Sequence, residues 1–203
     1  MRTIATLIFP EFELLDVFGP LEMFGMFSEE FRLIMVAEEL GPIASTQGPR
    51  SAVDALIAER PAADILLVPG GRGTRREVHN PAILVWLSAA AQEAEIVTSV
   101  CTGSLLLARA GLLDGRKATT NKRAFALGAQ HGPGVDWQPN ARWVEDGKFV
   151  TSSGVSAGID MSLGVITRLL GPEAAADAAR WAEYTPNTDP GDDPFAVLIE
   201  EPR

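Results

Sequence analysis

The sequence predicts an α/β domain built on a mostly parallel β-sheet with helices on both faces. Four short runs, at residues 3–9, 31–36, 65–68 and 96–100, are mainly apolar, which is typical of strands buried on both faces. Helical patterns follow most of these runs, and alternating strands and helices favour a parallel sheet between two helical layers. Asp146-Gly147 joins two further strand-like runs and is a hairpin turn signal.

The remaining elements are placed by periodicity and by capping residues. One helix is expected over residues 14–27 and another over 80–94, where Asn80 is the N-cap and Pro81 occupies the first helical position. The hairpin lies within residues 141–153. Two more helices are expected at 157–170 and 173–184, and the turn-rich tail TPNTDPGDDPF is expected to meander over the surface.

Length and charge limit the function. The 203 residues suit a single domain over residues 1–203, and the net charge of −10 argues against nucleic acid as a partner. The chain shows neither a signal-peptide pattern nor an apolar run near the ~20 residues of a membrane span. A single cysteine cannot form an internal disulfide, so we expect a cytoplasmic protein. The sequence calls for no metal and no cofactor.

The only cysteine stands at a corner between a strand and a helix. Residues 95–105 read EIVTSVCTGSL, so Cys101 follows a predicted strand and precedes a predicted helix, as in a nucleophile elbow. Gly103 removes a Cβ that would crowd the turn. The helix N-terminus favours a thiolate, and we expect a lowered cysteine pKa. The alternative is a small buried core residue, which many free cysteines are.

The predicted acid/base group is Asp16. It lies in an apolar stretch, where desolvation would raise the pKa of its carboxyl and suit it to proton transfer. The alternative is a carboxylate that caps the following helix. The two histidines, His79 and His131, are expected to be surface loop residues.

The Pro69-Gly70-Gly71 turn follows the third predicted strand. Because ligands bind beyond the carboxyl ends of parallel strands, we expect Gly70 and Gly71 to lie near Cys101. Their main-chain N–H groups and that of Thr102 could form an anion pocket. A phosphate cradle at GGRG and an ordinary strand-exit turn are the alternatives.

Together these segments resemble the DJ-1/ThiJ/PfpI superfamily, a class I glutamine amidotransferase-like fold. The resemblance rests on SVCTGSLLLARAGLLDGRKATT (99–120), LLVPGG (66–71), FPEFELLDVFGPLEMF (9–24) and SSGVSAGIDMSL (152–163). Within the superfamily the chain is most similar to the isocyanide (isonitrile) hydratase branch. Further features of that branch are SAGID and the EY-P segment at residues 183–186.

The resemblance implies a flavodoxin-like three-layer sandwich and a homodimer. It also implies that Cys101 is the nucleophile, that Asp16 is the acid/base group, and that Thr102 and Gly71 surround a small-molecule substrate. Several relatives carry a histidine where this chain has Asn121, so a Cys–His dyad is not favoured. The segment given carries no helix-turn-helix module, so a transcription regulator is not favoured either.

The predicted reaction is attack of the Cys101 thiolate on the terminal carbon of an isonitrile, forming a thioimidate. Asp16 delivers a proton and then activates water, which gives an N-substituted formamide. Two other functions fit the same residues. One is a glyoxalase or deglycase acting on reactive aldehydes, and the other is a non-catalytic sensor in which Cys101 is oxidised.

Overall fold

The sheet of the protein has seven strands, six of them parallel. The computed structural model describes residues 1–200. In chain order the strands are β1 (Arg2–Leu7), β2 (Phe31–Ala37), β3 (Ile43–Ala44), β4 (Arg50–Ser51), β5 (Ala55–Leu56), β6 (Ile65–Val68), β7 (Ile96–Ser99), β8 (Lys117–Ala118), β9 (Asp136–Trp137), β10 (Trp143–Asp146) and β11 (Phe149–Ser152). The large sheet has the order β10-β11-β7-β6-β1-β2-β5, while β3-β4 and β8-β9 form small two-stranded sheets.

Seven α-helices accompany the strands within the described residues 1–200. They are α1 (Leu14–Gly25), α2 (Thr74–Glu77), α3 (Pro81–Glu93), α4 (Gly103–Arg109), α5 (Phe125–His131), α6 (Ala157–Leu170) and α7 (Pro172–Trp181), and 3₁₀ turns occupy Ile57–Glu59, Lys122–Ala124 and Ala196–Ile199. The predicted fold class is confirmed: the sheet is mostly parallel and helices flank it. Within residues 1–200, no helix has the length and apolarity needed to cross a membrane.

The four predicted central strands are present, and their apolar composition explains their position. β6 and β7 are buried along their whole length, and both lie inside the sheet. The core extends from these strands to the apolar faces of α1, α3 and α6. The predicted cap of α3 is confirmed, because the Asn80 side chain accepts a hydrogen bond from the N–H of Ala82 and Pro81 begins the helix.

The hairpin prediction is also confirmed. β10 pairs antiparallel with β11 from Trp143↔Ser152 to Asp146↔Phe149, and Gly147 in the turn has a φ of 64°. The tail follows the predicted surface path except at one residue. Most of residues 185–195 are exposed or half-buried, but Asp193 is buried against side chains of the domain.

Parallel strands place their carboxyl ends at one edge, and this edge holds the predicted site. Pro69 to Gly71 follow β6, Cys101 follows β7, and Ser153 to Ser156 follow β11. The three strands are neighbours in the sheet, so three loops that are distant in sequence meet beside one another. Asp16 joins them from the first turn of α1.

Candidate active site

Cys101 occupies a strained corner between β7 and α4. Its φ of 57° lies in the left-handed region, which non-glycine residues rarely adopt. Its N–H donates to the carbonyl of Ser153 at 3.1 Å, which ties the corner to the loop after β11. Strain of this kind persists only where surrounding contacts impose it. The predicted elbow is therefore present as backbone geometry.

Gly103 allows the corner to approach the neighbouring strand. A Cβ at this position would lie 2.1 Å from the carbonyl oxygen of Val68, where no side chain fits. The predicted role of Gly103 in the turn is thus supported, although the crowding partner is the end of β6.

Asp16 is fully buried and its orientation is set by the glycine loop. Oδ2 accepts a 2.8 Å hydrogen bond from the N–H of Gly70. The helix cap considered from the sequence is wrong, because the N-cap of α1 is Glu13 and Asp16 bonds to another loop. Oδ1 has no well-formed hydrogen bond with any residue in 1–200, although the Cys101 thiol lies close enough to stabilise the charged carboxylate.

The pKa of Asp16 is well above its usual range, as predicted. Burial is the main cause, and the charge of Glu13 adds to it. The N–H of Gly70 and the Cys101 thiol act in the opposite direction, since both favour the carboxylate.

The prediction of a lowered cysteine pKa is wrong. Burial raises the pKa of the Cys101 thiol, and the neighbouring carboxyl of Asp16 raises it further. The N–H of Thr102, the side chain of Asn121 and the N–H of Val155 oppose this by favouring the thiolate. Because each anion disfavours the other, the Asp16 carboxyl and the Cys101 thiol titrate as a coupled pair.

The glycine amides predicted as an anion pocket are already engaged. The N–H of Gly70 serves Asp16, and that of Gly71 donates to Oγ1 of Thr102 at 3.2 Å. That hydroxyl also contacts Oγ1 of Thr74 at 3.0 Å. Gly70, Gly71 and Thr102 do gather at the corner, but only the Thr102 N–H faces the sulfur. The N–H groups of the two glycines therefore orient Asp16 and Thr102 in this structure.

A cavity of about 270 Å³ adjoins this corner. Asn121 and Val155 line it and also contact the Cys101 thiol, so the cavity reaches the immediate neighbours of the sulfur. Cys101 itself is 6% exposed, and neither it nor Asp16 is a lining residue, so the cavity adjoins the thiol through Asn121 and Val155. The other lining residues are Lys122, Arg123, Ser153, Gly154, Ser156, Phe195 and Leu198.

Sequence reasoning missed several of these residues. Val155 is β-branched yet has a φ of 44°, and nothing in its sequence context signals such strain. Asn121 was noted only as a residue that cannot act as a base. Its Oδ1 accepts the N–H of Ala124 at 3.1 Å, which leaves the amide NH₂ for the sulfur and the cavity.

A buried ionic cluster lies behind the cavity, and its members were not predicted either. Nε and Nη2 of Arg142 bind Oδ2 of Asp160 at 2.8 and 2.7 Å, and Nη1 reaches Asp193 at 3.4 Å. The hydroxyl of Tyr184 donates to Asp160 at 2.8 Å. The SAGID and EY-P blocks therefore contribute Asp160 and Tyr184 to anchoring the tail.

The two histidines lie side by side, their ring centroids 6.2 Å apart. Burial, His79 and Arg109 lower the pKa of His131, and neither histidine is among the groups that shift the pKa of Cys101. His79 lines a larger cavity of about 460 Å³ whose walls include neither Cys101 nor Asp16. Among residues 1–200, no three His, Cys, Asp or Glu side chains are grouped so that they could hold a metal ion.

The chain is similar to known proteins over most of its length. Residues 2–168 match the model of the DJ-1/PfpI family. An isonitrile hydratase from Pseudomonas putida is 33% identical over 97% of this chain and 87% of its own length. The crystal structure of a ThiJ/PfpI family protein from Pseudomonas syringae superposes with a TM-score of 0.84 at 32% identity, covering 92% of this chain and 76% of that one.

A relative of another kind is the HTH-type transcriptional regulator CdhR from Pseudomonas aeruginosa. It is 29% identical over 79% of this chain, and the match spans 47% of the regulator. The shared part is therefore about half of that protein.

Proposed function

The chain belongs to the DJ-1/PfpI family, and on that premise we propose that it is an isonitrile hydratase-like enzyme. The observation that supports this most is the buried Asp16 carboxyl, held by the N–H of Gly70 beside the Cys101 thiol. Cys101 and Asp16 thus place a nucleophile next to an acid/base group, and both are buried away from solvent. The 33% identity to the Pseudomonas putida isonitrile hydratase favours this reaction over others.

The proposed first step adds the thiol across the terminal carbon of R–N≡C. Cys101 Sγ bonds to that carbon while its proton passes to Asp16 and on to the same carbon, giving the thioimidate R–N=CH–S–Cys. The raised pKa of Asp16 suits this transfer, because a carboxyl that holds a proton more readily than usual can take it from the sulfur and then return it. No net charge has to be buried during the step.

In the second step, water attacks the thioimidate carbon. Asp16 takes one proton from the water and passes it to the nitrogen as the C–O bond forms, which gives R–NH–CH(OH)–S–Cys. The hydroxyl then loses its remaining proton to Asp16 as the C=O bond forms and the C–S bond breaks. Asp16 returns this proton to the sulfur, and R–NH–CHO leaves. Water and isonitrile are the only reactants consumed.

The test uses purified protein with cyclohexyl isonitrile, product analysis for the formamide, and intact mass for the thioimidate. We expect Cys101→Ala to abolish turnover and the mass adduct. Asp16→Asn should lower turnover by about 10²–10⁴, the usual contribution of one acid/base group. Asp136→Asn, at an exposed carboxyl, is the matched control and should be unchanged.

A parallel incubation with methylglyoxal tests the aldehyde-handling alternative. Turnover of methylglyoxal that depends on Cys101, with no consumption of the isonitrile, would reassign the site to carbonyl chemistry. Peroxide oxidation of Cys101 with no turnover in either assay would instead favour the sensor.

We further propose that the protein is a cytoplasmic homodimer with one domain over residues 1–203. Leu15 and Phe18 of α1 are each 42% exposed, and Phe18 borders an apolar depression over β2. Such exposed apolar residues suit a contact between copies. Phe18→Glu should yield monomers in light scattering, whereas Val85→Glu, at an exposed position on α3, should not.

A further inference from the structure

The C-terminal segment, residues 193–199, lies against the cavity beside Cys101. Phe195 and Leu198 from this segment line the cavity, together with Asn121, Ser153 and Val155 from the two loops that adjoin the thiol. The 3₁₀ turn Ala196–Ile199 packs on the 3₁₀ turn Lys122–Ala124. One wall of the cavity is therefore formed by the tail.

The segment begins at a buried anchor. Asp193 is 3% exposed, and its carboxylate lies 3.4 Å from Nη1 of Arg142 and 3.7 Å from Nζ of Lys122. Its own N–H donates to the carbonyl of Asn140 at 2.8 Å. A carboxylate buried between two cations is costly to displace, so the start of the segment is fixed.

The anchor also sets the direction of the side chains that follow it. Oδ1 of Asp193 accepts the N–H of Phe195 at 3.1 Å, and the Arg142 guanidinium lies 6.0 Å from the centre of the Phe195 ring. Phe195 remains 50% exposed although it is large and apolar. An apolar ring held half in water at the wall of a cavity gains from contact with an apolar ligand.

The lining of the cavity mixes apolar and polar residues. The tail contributes apolar Phe195 and Leu198, and the rest of the lining is apolar Val155, Gly154 and the polar or basic residues Asn121, Lys122, Arg123, Ser153 and Ser156. Among the described residues that line the cavity, none bears a carboxylate. A molecule with an apolar group for the two tail residues and a small polar group for the polar residues suits this mixed lining.

We propose that the C-terminal segment is the specificity wall of the site, and that Phe195 and Leu198 select isonitriles with a neutral, apolar R group. The proposal rests on the proposed function, because it identifies the substrate class of the same site. The R group would contact the ring of Phe195 and the side chain of Leu198, while the isonitrile carbon points to Cys101. A cationic R group would find no carboxylate to pair with among the described lining residues.

The experiment compares kcat/KM for cyclohexyl isonitrile and methyl isonitrile in three alanine variants. Phe195→Ala and Leu198→Ala should each lower kcat/KM for cyclohexyl isonitrile about 10-fold and change the methyl substrate by less than about 2-fold. Val197→Ala is the matched control, since Val197 lies in the same 3₁₀ turn, is 68% exposed and does not line the cavity. Equal losses for both substrates, or a selectivity change in Val197→Ala, would overturn the proposal.

A second measurement separates this proposal from the hydratase proposal. Rates of Cys101 alkylation by N-cyclohexylmaleimide and by N-methylmaleimide require no turnover. If wild type consumes no isonitrile, the hydratase proposal fails, while a changed ratio of the two alkylation rates in Phe195→Ala still supports the wall. An unchanged ratio in both Phe195→Ala and Leu198→Ala would reject the wall whatever the reaction.

The anchor is tested with Asp193→Asn, which keeps the side-chain shape and removes the charge. We expect the same loss of selectivity as in Phe195→Ala, with an unchanged circular dichroism spectrum. If Asp193→Asn fails to fold, Lys122→Met removes one of the two cationic partners and serves in its place. Retained selectivity in a folded anchor variant would show that the anchor does not position the wall.

Discussion

The N–H of Gly70 donates a 2.8 Å hydrogen bond to Oδ2 of Asp16, and this bond fixes the carboxyl beside the thiol. A Cβ on residue 70 would lie 2.6 Å from the Thr102 nitrogen and 2.9 Å from Oδ2 of Asp16. The glycine is therefore required by two neighbours at once. The orientation of the Asp16 carboxyl therefore depends on residue 70, 54 positions away, being a glycine.

Gly70→Ala should consequently separate Asp16 from the sulfur. We expect turnover to fall about 100-fold and the free energy of unfolding to drop by about 1–3 kcal/mol, as in overpacked cores. Turnover assays and urea denaturation measure the two effects. Gly25→Ala is the control, because a Cβ there makes only an ordinary 3.5 Å contact with Leu33. Wild-type activity in Gly70→Ala would contradict the assigned geometry.

Asp16→Asn should be more stable than wild type at neutral pH while being nearly inactive. The folded protein raises the pKa of Asp16 well above the ordinary value of 3.8, so above pH 4 the unfolded chain loses this proton first. Wild-type stability therefore falls as pH rises from about 4 towards the folded pKa, and the asparagine variant lacks this loss. Urea unfolding at pH 4.5, 6 and 7.5 should show a growing difference, and a constant one would refute the raised pKa.

Asn121 should favour the thiolate of Cys101 by donating from its amide. Asn121→Ser keeps a capping oxygen for the 3₁₀ turn but removes the amide NH₂ that reaches the sulfur, and Asn121→Asp adds a negative charge next to the sulfur. Both should slow alkylation by iodoacetamide at pH 8, Asn121→Asp by about 10-fold if the thiol pKa rises by about one unit.

The control for that measurement is Asn80→Ser, at the N-cap of α3. It repeats the change of capping residue away from the thiol, so its alkylation rate should match wild type. Identical alkylation rates in Asn121→Asp and wild type would show that Asn121 does not act on the Cys101 thiol.

Lys122 should make stability rise with pH in the mildly alkaline range. Burial lowers the pKa of its amine from 10.5 to about 8, against the opposing charge of Asp193. Between about pH 8 and 10.5 the folded protein has released this proton while the unfolded chain still holds it, so stability rises with pH. The stability of wild type minus that of Lys122→Met should increase from pH 8 to 10. Lys117→Met, at an exposed position, should show no such trend.

The sheet could be predicted because its strands are buried on both faces and read as apolar runs, as in β6 and β7. The strands β3, β4 and β5 have two residues each, too few for any period to be visible. Asp16 and Cys101 were found because both follow signals of local structure. The sign of the cysteine pKa shift was missed, since the burial of a thiol depends on packing that local sequence does not encode.

The tail shows the same limit. Its proline, glycine and aspartate residues predict turns, and turns usually run over the surface. Asp193 is buried because its carboxylate pairs with Arg142 and Lys122, and these residues are far from it in sequence. An ion pair between residues so far apart gives no periodic pattern in the sequence, so it cannot be predicted from local sequence.

The anchor at Asp193 also affects the order in which the cavity forms during folding. The surroundings of the thiol are complete only when α1, the strands β6 and β7 and the 3₁₀ turn Ala196–Ile199 have all docked. Contacts between segments so far apart in sequence form slowly, because closing long loops costs conformational entropy. We therefore expect a refolding chain to carry an open, unselective thiol until residues 193–199 dock, and the size selectivity of maleimide alkylation during refolding would report when they do.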